Sequence, residues 1–381
     1  MTGTITAVRA RTVAASARGV WTFVEVAGSS ELTGTGEGTV HLEPESVAPR
    51  LDGLWREILG KPARRSSLDW PAHGATDFTD VSARCALDQA LIDIEAQAAG
   101  CSIARFLAEE WGARAELPRA DVEVYANVNR RTADRSPAGF AASARRAVGA
   151  GFRAVKIAPL DGVRPEMSIT TAGTLLDAAI ERMAAVRDVI GRDCRLLVDC
   201  HWRLNPATAG HLLAAAAALD LFWIECPFPE DPADFADLRA FRTRANARGV
   251  RTAGCELLRG LDGFGPFIDG ELYDVLMPDV KHAGGCEALH RVAEAAARRG
   301  IAIAPHNPTG PIAHAHSVQA SAALPELLLL EMQFDETPAF ESIVTGALPM
   351  PGRGIVAVPD ATGLGLRLVA GDLSDGVAAR E

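Results

Sequence analysis

From about residue 121 onward the sequence repeats one texture eight times. Short runs rich in Val, Ile and Leu (VEVYANV, FRAVKIAP, RLLVDCH, LFWIECP, RTAGCEL, YDVLMPD, IAIAPHN and LLLLEMQF) alternate with stretches of helical composition. AGFAASARRAVGAG, LLDAAIERMAAVRDVIG and CEALHRVAEAAARRG are examples of the latter. Strand-like runs separated by helices point to parallel β/α units, and eight of them point to a closed barrel. The stretch after the fifth run, LRGLDGFGPFIDGE, is the weakest helix of the set.

The barrel leaves the first part of the chain over. At 381 residues the protein exceeds the roughly 250–300 at which a single core stops growing, so a second domain is expected. Residues 4–60 are rich in Thr, Val and Gly, and VWTFVEVAGSSELTGTGEG reads as two strands joined by a polar turn. GTGEG has the glycine spacing of a phosphate loop but lacks the Gly-Lys-Ser/Thr ending and a following helix. Residues 82–112 carry apolar positions at helical spacing, broken by Gly100.

A net charge of −11 argues against a nucleic-acid partner, which would want a basic footprint. It does not exclude an anionic small substrate, because the charge inside a cleft differs from the net value. The N-terminus shows no signal peptide and no run is long and apolar enough to span a bilayer. Seven scattered cysteines without a CxxC pair do not make a disulfide framework. A cytoplasmic protein without membrane or nucleic-acid partners is the expectation.

The chemistry is written at the ends of the apolar runs. Lys156, Asp199, Glu225, Glu256, Asp279, His306 and Glu331 occupy equivalent places on seven of them, 23–31 residues apart except for a first step of 43. That longer step holds the insertion LDGVRPEMSITTAG. In a barrel such positions converge on one mouth, and carboxylates crowded there repel one another unless a cation compensates them. Asp199, Glu225 and Glu256 on consecutive strands form a hard, all-oxygen set that favours Mg²⁺.

The stretch LVDCHWR invites a different reading, a soft-metal or thiol site. Strand alternation opposes it, because Cys200, Cys226 and Cys255 each neighbour a carboxylate and so face the helices instead. The same alternation returns His201 to the inside beside Asp199, and leaves Trp202 to pack against a helix. Asp279 and His306 end adjacent runs and suit a carboxylate-oriented general base. Together these groups suit removal of a proton α to a carboxylate, with His306 as base and His201 as acid toward a departing β-hydroxyl. Lys156 or Glu331 would support the carboxylate oxygens as charge develops. Lys281 is placed to face the site, His282 has no assigned role, and His314 and His316 read as packing or capping residues.

ALDQALIDIEAQAAG, VDCHWR, WIECPFPED, GCE, PDVKHAGG and APHNPTGPIAHAHS resemble successive motifs of the enolase superfamily, within its mandelate racemase branch, over nearly the whole chain. The resemblance implies a (β/α)₇β TIM-like barrel over residues 121–345. An α+β cap would be built from residues 1–120 and the returning segment 346–381, where VPDATGLGLRLV fits. It implies Mg²⁺ on Asp199, Glu225 and Glu256, an Asp279–His306 base dyad, and Glu331 as an electrophilic hydrogen-bonding residue. Cap loops near Val20–Trp21 and Arg64–Gly74 would close over a small carboxylate substrate, with Trp21 touching it. A homo-oligomer is also implied.

Two details sort the branch. Racemases of the family carry Lys-x-Lys on the second strand, whereas Lys156-Ile157-Ala158 lacks the second lysine. Asp199-x-His201 and Arg203 are similar to the galactonate dehydratase-type pattern, in which the histidine is the general acid. Arg203 and Asn127 are then expected to touch substrate hydroxyls. The leading expectation is Mg²⁺-dependent dehydration of an aldonate-like acid sugar to a 2-keto-3-deoxy acid. A racemase or epimerase of a 2-hydroxy or amino acid is the alternative, with His201 or Lys156 as second base. A silent binding protein of the same fold is disfavoured by the complete ligand trio and dyad.

Overall fold

The computed structural model describes residues 2–16, 19–40, 46–70, 77–112 and 118–369. The chain opens with an antiparallel sheet of β1 (Ile5–Ser16), β2 (Gly19–Gly28) and β3 (Thr33–Glu37). Helices α1 (Val47–Ile58), α2 (Phe78–Ala99) and α3 (Ile103–Glu110) follow. Asp77 starts α2 by accepting the N–H of Thr79, and Gly100 ends it at φ 74°, a left-handed conformation glycine adopts without steric cost. The glycines of GTGEG serve packing. A Cβ at Gly34 or Gly36 would overlap the carbonyl oxygen of Ala90 or Ala86, so these glycines let β3 lie directly on α2.

The barrel begins with β4 (Asp121–Asn127), α4 (Pro137–Gly149), β5 (Ala154–Ile157) and α5 (Ile169–Ile190). It continues through β6 (Arg195–Asp199), α6 (Pro206–Ala216), β7 (Leu221–Glu225) and α7 (Phe235–Asn246). Then come β8 (Arg251–Gly254), α8 (Gly260–Asp269), β9 (Val275–Leu276) and α9 (Gly285–Ala297). β10 (Ala302–Ile303), α10 (Pro311–Ala323) and β11 (Leu330–Gln333) complete it. The strands are parallel and in chain order, with β11 beside β4. Backbone bonds from Ile303 to Glu326 and from Leu328 to Ile303 close the ring, giving (β/α)₇β. The weak helix candidate does fold as α8 despite Pro266 inside it, because Phe264, Phe267 and Ile268 are buried against the barrel.

Tyr125, Leu197, Trp223, Val275 and Met277 belong to the apolar cluster inside the barrel. The two-residue period puts Asp199 above Leu197 and Glu225 above Trp223, so the polar layer rests on an apolar floor. Cys200 and Cys255 join the apolar layer between strands and helices, Cys226 is equally buried, and all seven cysteines are free thiols.

After α11 (Ala339–Ser342) and β12 (Val344–Gly346) the chain returns. β13 (Ile355–Ala357) pairs with β4, and β14 (Leu366–Leu368) pairs with β12. Gly363 exchanges backbone bonds with Cys101 and Ile103, and Leu364 N–H bonds Asp93, so the returning segment reaches α2 and α3.

A second tie joins the first sheet to the barrel. Glu37 of β3 is wholly buried and accepts hydrogen bonds from Thr309 Oγ1, Gly310 N–H and Ala313 N–H, each at 2.8 Å. These are donors that the start of α10 would otherwise leave unsatisfied. His316 Nε2 adds a bond to Thr35 O at 2.7 Å. Among the described residues no helix is long and apolar enough to cross a membrane.

Candidate active site at the barrel mouth

All seven strand-end residues gather at the C-terminal mouth of the barrel. Asp199, Glu225 and Glu256 present carboxylate oxygens that all lie within 4.8 Å of one another. Burial first, then the charge of Asp199, pushes Glu225 and Glu256 well above the ordinary carboxylate range. Burial also opposes charge on Asp199, but His201 and Lys156 outweigh it and hold this carboxyl low. Glu256 Oε2 is buried without a hydrogen-bond partner. An orphaned carboxylate oxygen in an all-oxygen trio fits a hard divalent cation, which would let all three groups ionise together.

Lys156 Nζ lies 2.5 Å from Glu225 Oε1, 3.0 Å from Glu331 Oε1 and 3.8 Å from Asp199 Oδ2. Burial alone would lower its pKa, but Glu225 and Glu331 outweigh it and fix the side chain as an ammonium. Glu331 Oε1 also accepts from Asn127 Nδ2 at 2.6 Å, and its Oε2 accepts from Asn307 N–H at 3.0 Å. Glu331 is therefore sealed behind Lys156 and Asn127. Those two line the cleft, and the Glu331 oxygens that would meet a substrate are already taken up by Lys156, Asn127 and Asn307.

Across the mouth, His306 Nδ1 sits 2.7 Å from Asp279 Oδ2. The carboxylate accepts, so Nδ1 carries the proton and Nε2 is left toward Glu256 Oε2, 3.6 Å away. Burial opposes charge on Asp279, yet Lys281, His282 and His306 outweigh it and hold the carboxyl far down. Lys281 donates Nζ to Asp279 Oδ2 at 2.6 Å and its backbone N–H to Oδ1 at 2.8 Å. His282, unassigned from sequence, donates Nε2 to the Glu256 carbonyl at 2.6 Å, and burial lowers its pKa to about 4.

His201 does reach Asp199, its Nε2 2.9 Å from Oδ2, but strand alternation is not the cause. β6 ends at Asp199, and His201 and Trp202 follow with φ 46° and 56°. Two successive non-glycine residues in the left-handed region cost on the order of 1–2 kcal/mol each. The turn is anchored by His201 N–H on Asp199 Oδ1 at 2.9 Å. It also corrects the expectation for Trp202, which lines the cleft with its indole hydrogen-bonded to half-buried Glu230.

Trp21 needs a correction as well. The β1–β2 hairpin pairs Ser16 with Gly19, so Val20 and Trp21 lie in the ladder, as the strand reading expects, and the loop beside them is short. The indole is buried edge-on to Phe23 and Phe340 and does not line the cleft. Of the second expected loop, residues 64–70 do not line the cleft and residues 71–74 lie outside the described residues. The cap instead contributes Thr39, Val40 and Phe78 to a cavity of about 360 Å³, for which no sequence pattern gave a signal. Arg130, beside Asn129, also lines it and was not anticipated. His314 and His316 are structural: His314 bonds Asn307 and Pro349 O, and burial lowers both imidazoles to about 4.

A closed parallel barrel with this trio and dyad at its mouth, beneath an antiparallel cap, defines an enolase-type protein. The chain belongs to the mandelate racemase/muconate lactonizing enzyme family. Residues 5–108 match its N-terminal domain and residues 139–371 match the enolase C-terminal domain-like description. D-gluconate dehydratase of Thermoproteus tenax is 29% identical over 290 residues, 76% of this chain but only 55% of that protein. D-galactonate dehydratase of Variovorax paradoxus (strain S110) is 27% identical over 317 residues, 82% of this chain and 78% of that one. The crystal structure of a mandelate racemase/muconate lactonizing enzyme from Jannaschia sp. CCS1 superimposes with a TM-score of 0.81 at 28% identity, covering 96% of this chain and 95% of the other.

Proposed function

We propose that the protein is a hydro-lyase that dehydrates an acid sugar to a 2-keto-3-deoxy acid, with Mg²⁺ held by Asp199, Glu225 and Glu256. The oxygen-only donor set is the reason for preferring Mg²⁺. Such a cation would supply positive charge against the substrate carboxylate. His306 Nε2 takes the α-proton while Asp279 holds the imidazole and balances its new charge. Lys156 supports the carboxylate oxygens as they gain electron density. His201 then protonates the β-hydroxyl, the C–O bond breaks, water leaves, and the enol product tautomerises to the 2-keto acid.

The observation that carries the reading is the unequal pair of faces. One face has a fixed base dyad. The other has His201 beside the trio, while the lysine at the second strand is committed to Glu225 and Glu331. Inversion at the α-carbon would need a second base there, whereas loss of water needs an acid. The relatives named as gluconate and galactonate dehydratases support the same choice, and aldonates are the first substrates to try. A screen of aldonic and aldaric acids with Mg²⁺, detecting 2-keto acids with semicarbazide, should give a product. Solvent-deuterium exchange at the α-carbon with no water loss from any acid would instead establish a racemase or epimerase.

A further inference from the structure

A second cavity, of about 240 Å³, adjoins the first and shares Asn129, Asp199, His201 and Arg203 with it. Its outer wall is the insertion after β5, through Ala158, Leu160 and Asp161. The charges along this wall are unevenly matched. Asp161 is neutralised by Arg135, bonded to both carboxylate oxygens at 3.0 Å, and by Arg182 at 3.6 Å. Arg135 is spent further on Asn129 Oδ1 at 2.9 Å and Ala158 O at 2.6 Å. Arg203 has no carboxylate partner among the described residues. Its Nη1 makes only two long bonds, 3.4 Å each, to the carbonyls of Leu160 and Val163. Nε and Nη2 are left for whatever occupies the cavity.

We infer that this cavity binds the distal end of the substrate and that Arg203 receives a carboxylate there, so the preferred substrates are acid sugars charged at both ends. The inference rests on the dehydratase reading for its direction: if C3 loses its hydroxyl to His201, carbons beyond C3 lie past His201, which borders both cavities. A guanidinium with a free fork is matched by a carboxylate in two parallel bonds, whereas a terminal hydroxyl leaves its charge uncompensated.

The test compares matched pairs, galactarate with galactonate and glucarate with gluconate. Affinity is measured by calorimetry with Mg²⁺ in a His306→Asn background that cannot turn over. One diacid of its pair should bind about tenfold tighter or better, the size of a charge-assisted pair. Arg203→Met should bring that ratio close to one, and Arg203→Lys, which keeps the charge but not the fork, should retain part of it. Equal affinities within both pairs, or a preference that survives Arg203→Met, would overturn the inference. The chemistry is read separately, from 2-keto acid formed by the unmodified enzyme. An Arg203-dependent diacid preference without product upholds the cavity's role and overturns only the dehydratase reading. Product from monoacids and diacids alike, with no dependence on Arg203, does the reverse.

Discussion

His306 and His201 face one cleft, yet the side chain of the first is 11% exposed and that of the second 37%. His306 is braced from behind by Asp279, which Lys281 grips in turn, and its loop runs into a helix capped by Glu37. His201 sits on a strained left-handed turn, and its side-chain contact is a carboxylate of the cation trio. The contrast suits the two tasks proposed for these histidines. Abstracting a weakly acidic α-proton demands one fixed direction, whereas delivering a proton to a departing hydroxyl must follow a group that moves. A racemase would want two faces built alike.

The largest expected effect falls on the braced side. His306→Asn should lower both product formation and α-deuterium exchange by roughly 10⁴-fold, the upper range for a general base. Exchange persisting in that variant would give the base role to another residue. Lys156→Met should come next: it strands Glu225 and Glu331 in a buried site and should cost about 3–5 kcal/mol in denaturant unfolding. A loss below about 1 kcal/mol would mean the ammonium does not hold these carboxylates together.

On the exposed side, His201→Asn should slow water loss roughly 10²–10³-fold while exchange continues, because the base is intact. Equal loss of both would collapse the division of labour. The smallest effect concerns pH. Burial draws the folded-state pKa of His316 from 6.5 to about 4, so the unfolded chain binds the proton first. Its stabilising contribution is complete above pH 6.5 and is lost as pH falls toward 4. His316→Gln, which keeps a donor for Thr35 O, should therefore flatten the fall in unfolding free energy across that window.

Much of the braced side was legible in the sequence because one polar residue per β/α repeat is a spacing signal. Glu225 ends its strand, and Glu256, Asp279 and His306 follow theirs by two or three residues, close enough for the repeat spacing alone to bring them to the mouth. What escaped was whatever depended on where a regular element stops. Alternation was carried past Asp199, where the strand has already ended, so His201 arrived by a turn and Trp202 landed in the cleft instead of against a helix. The sequence puts Trp21 in a strand beside a cap loop, but only the pairing shows that the hairpin is too tight for the indole to leave the ladder for the cleft. Glu331 keeps its register position, but only packing shows Lys156 and Asn127 standing in front of it. The 43-residue step announced an insertion without saying that it would wall a second cavity.

Glu37 gives the molecule a pivot. Lifting the cap at that point would strand a buried carboxylate from Thr309 and two backbone amides of the barrel at once. Thr309 and Gly310 follow closely on His306, so the cap is fastened to the barrel on the side of the Asp279–His306 dyad.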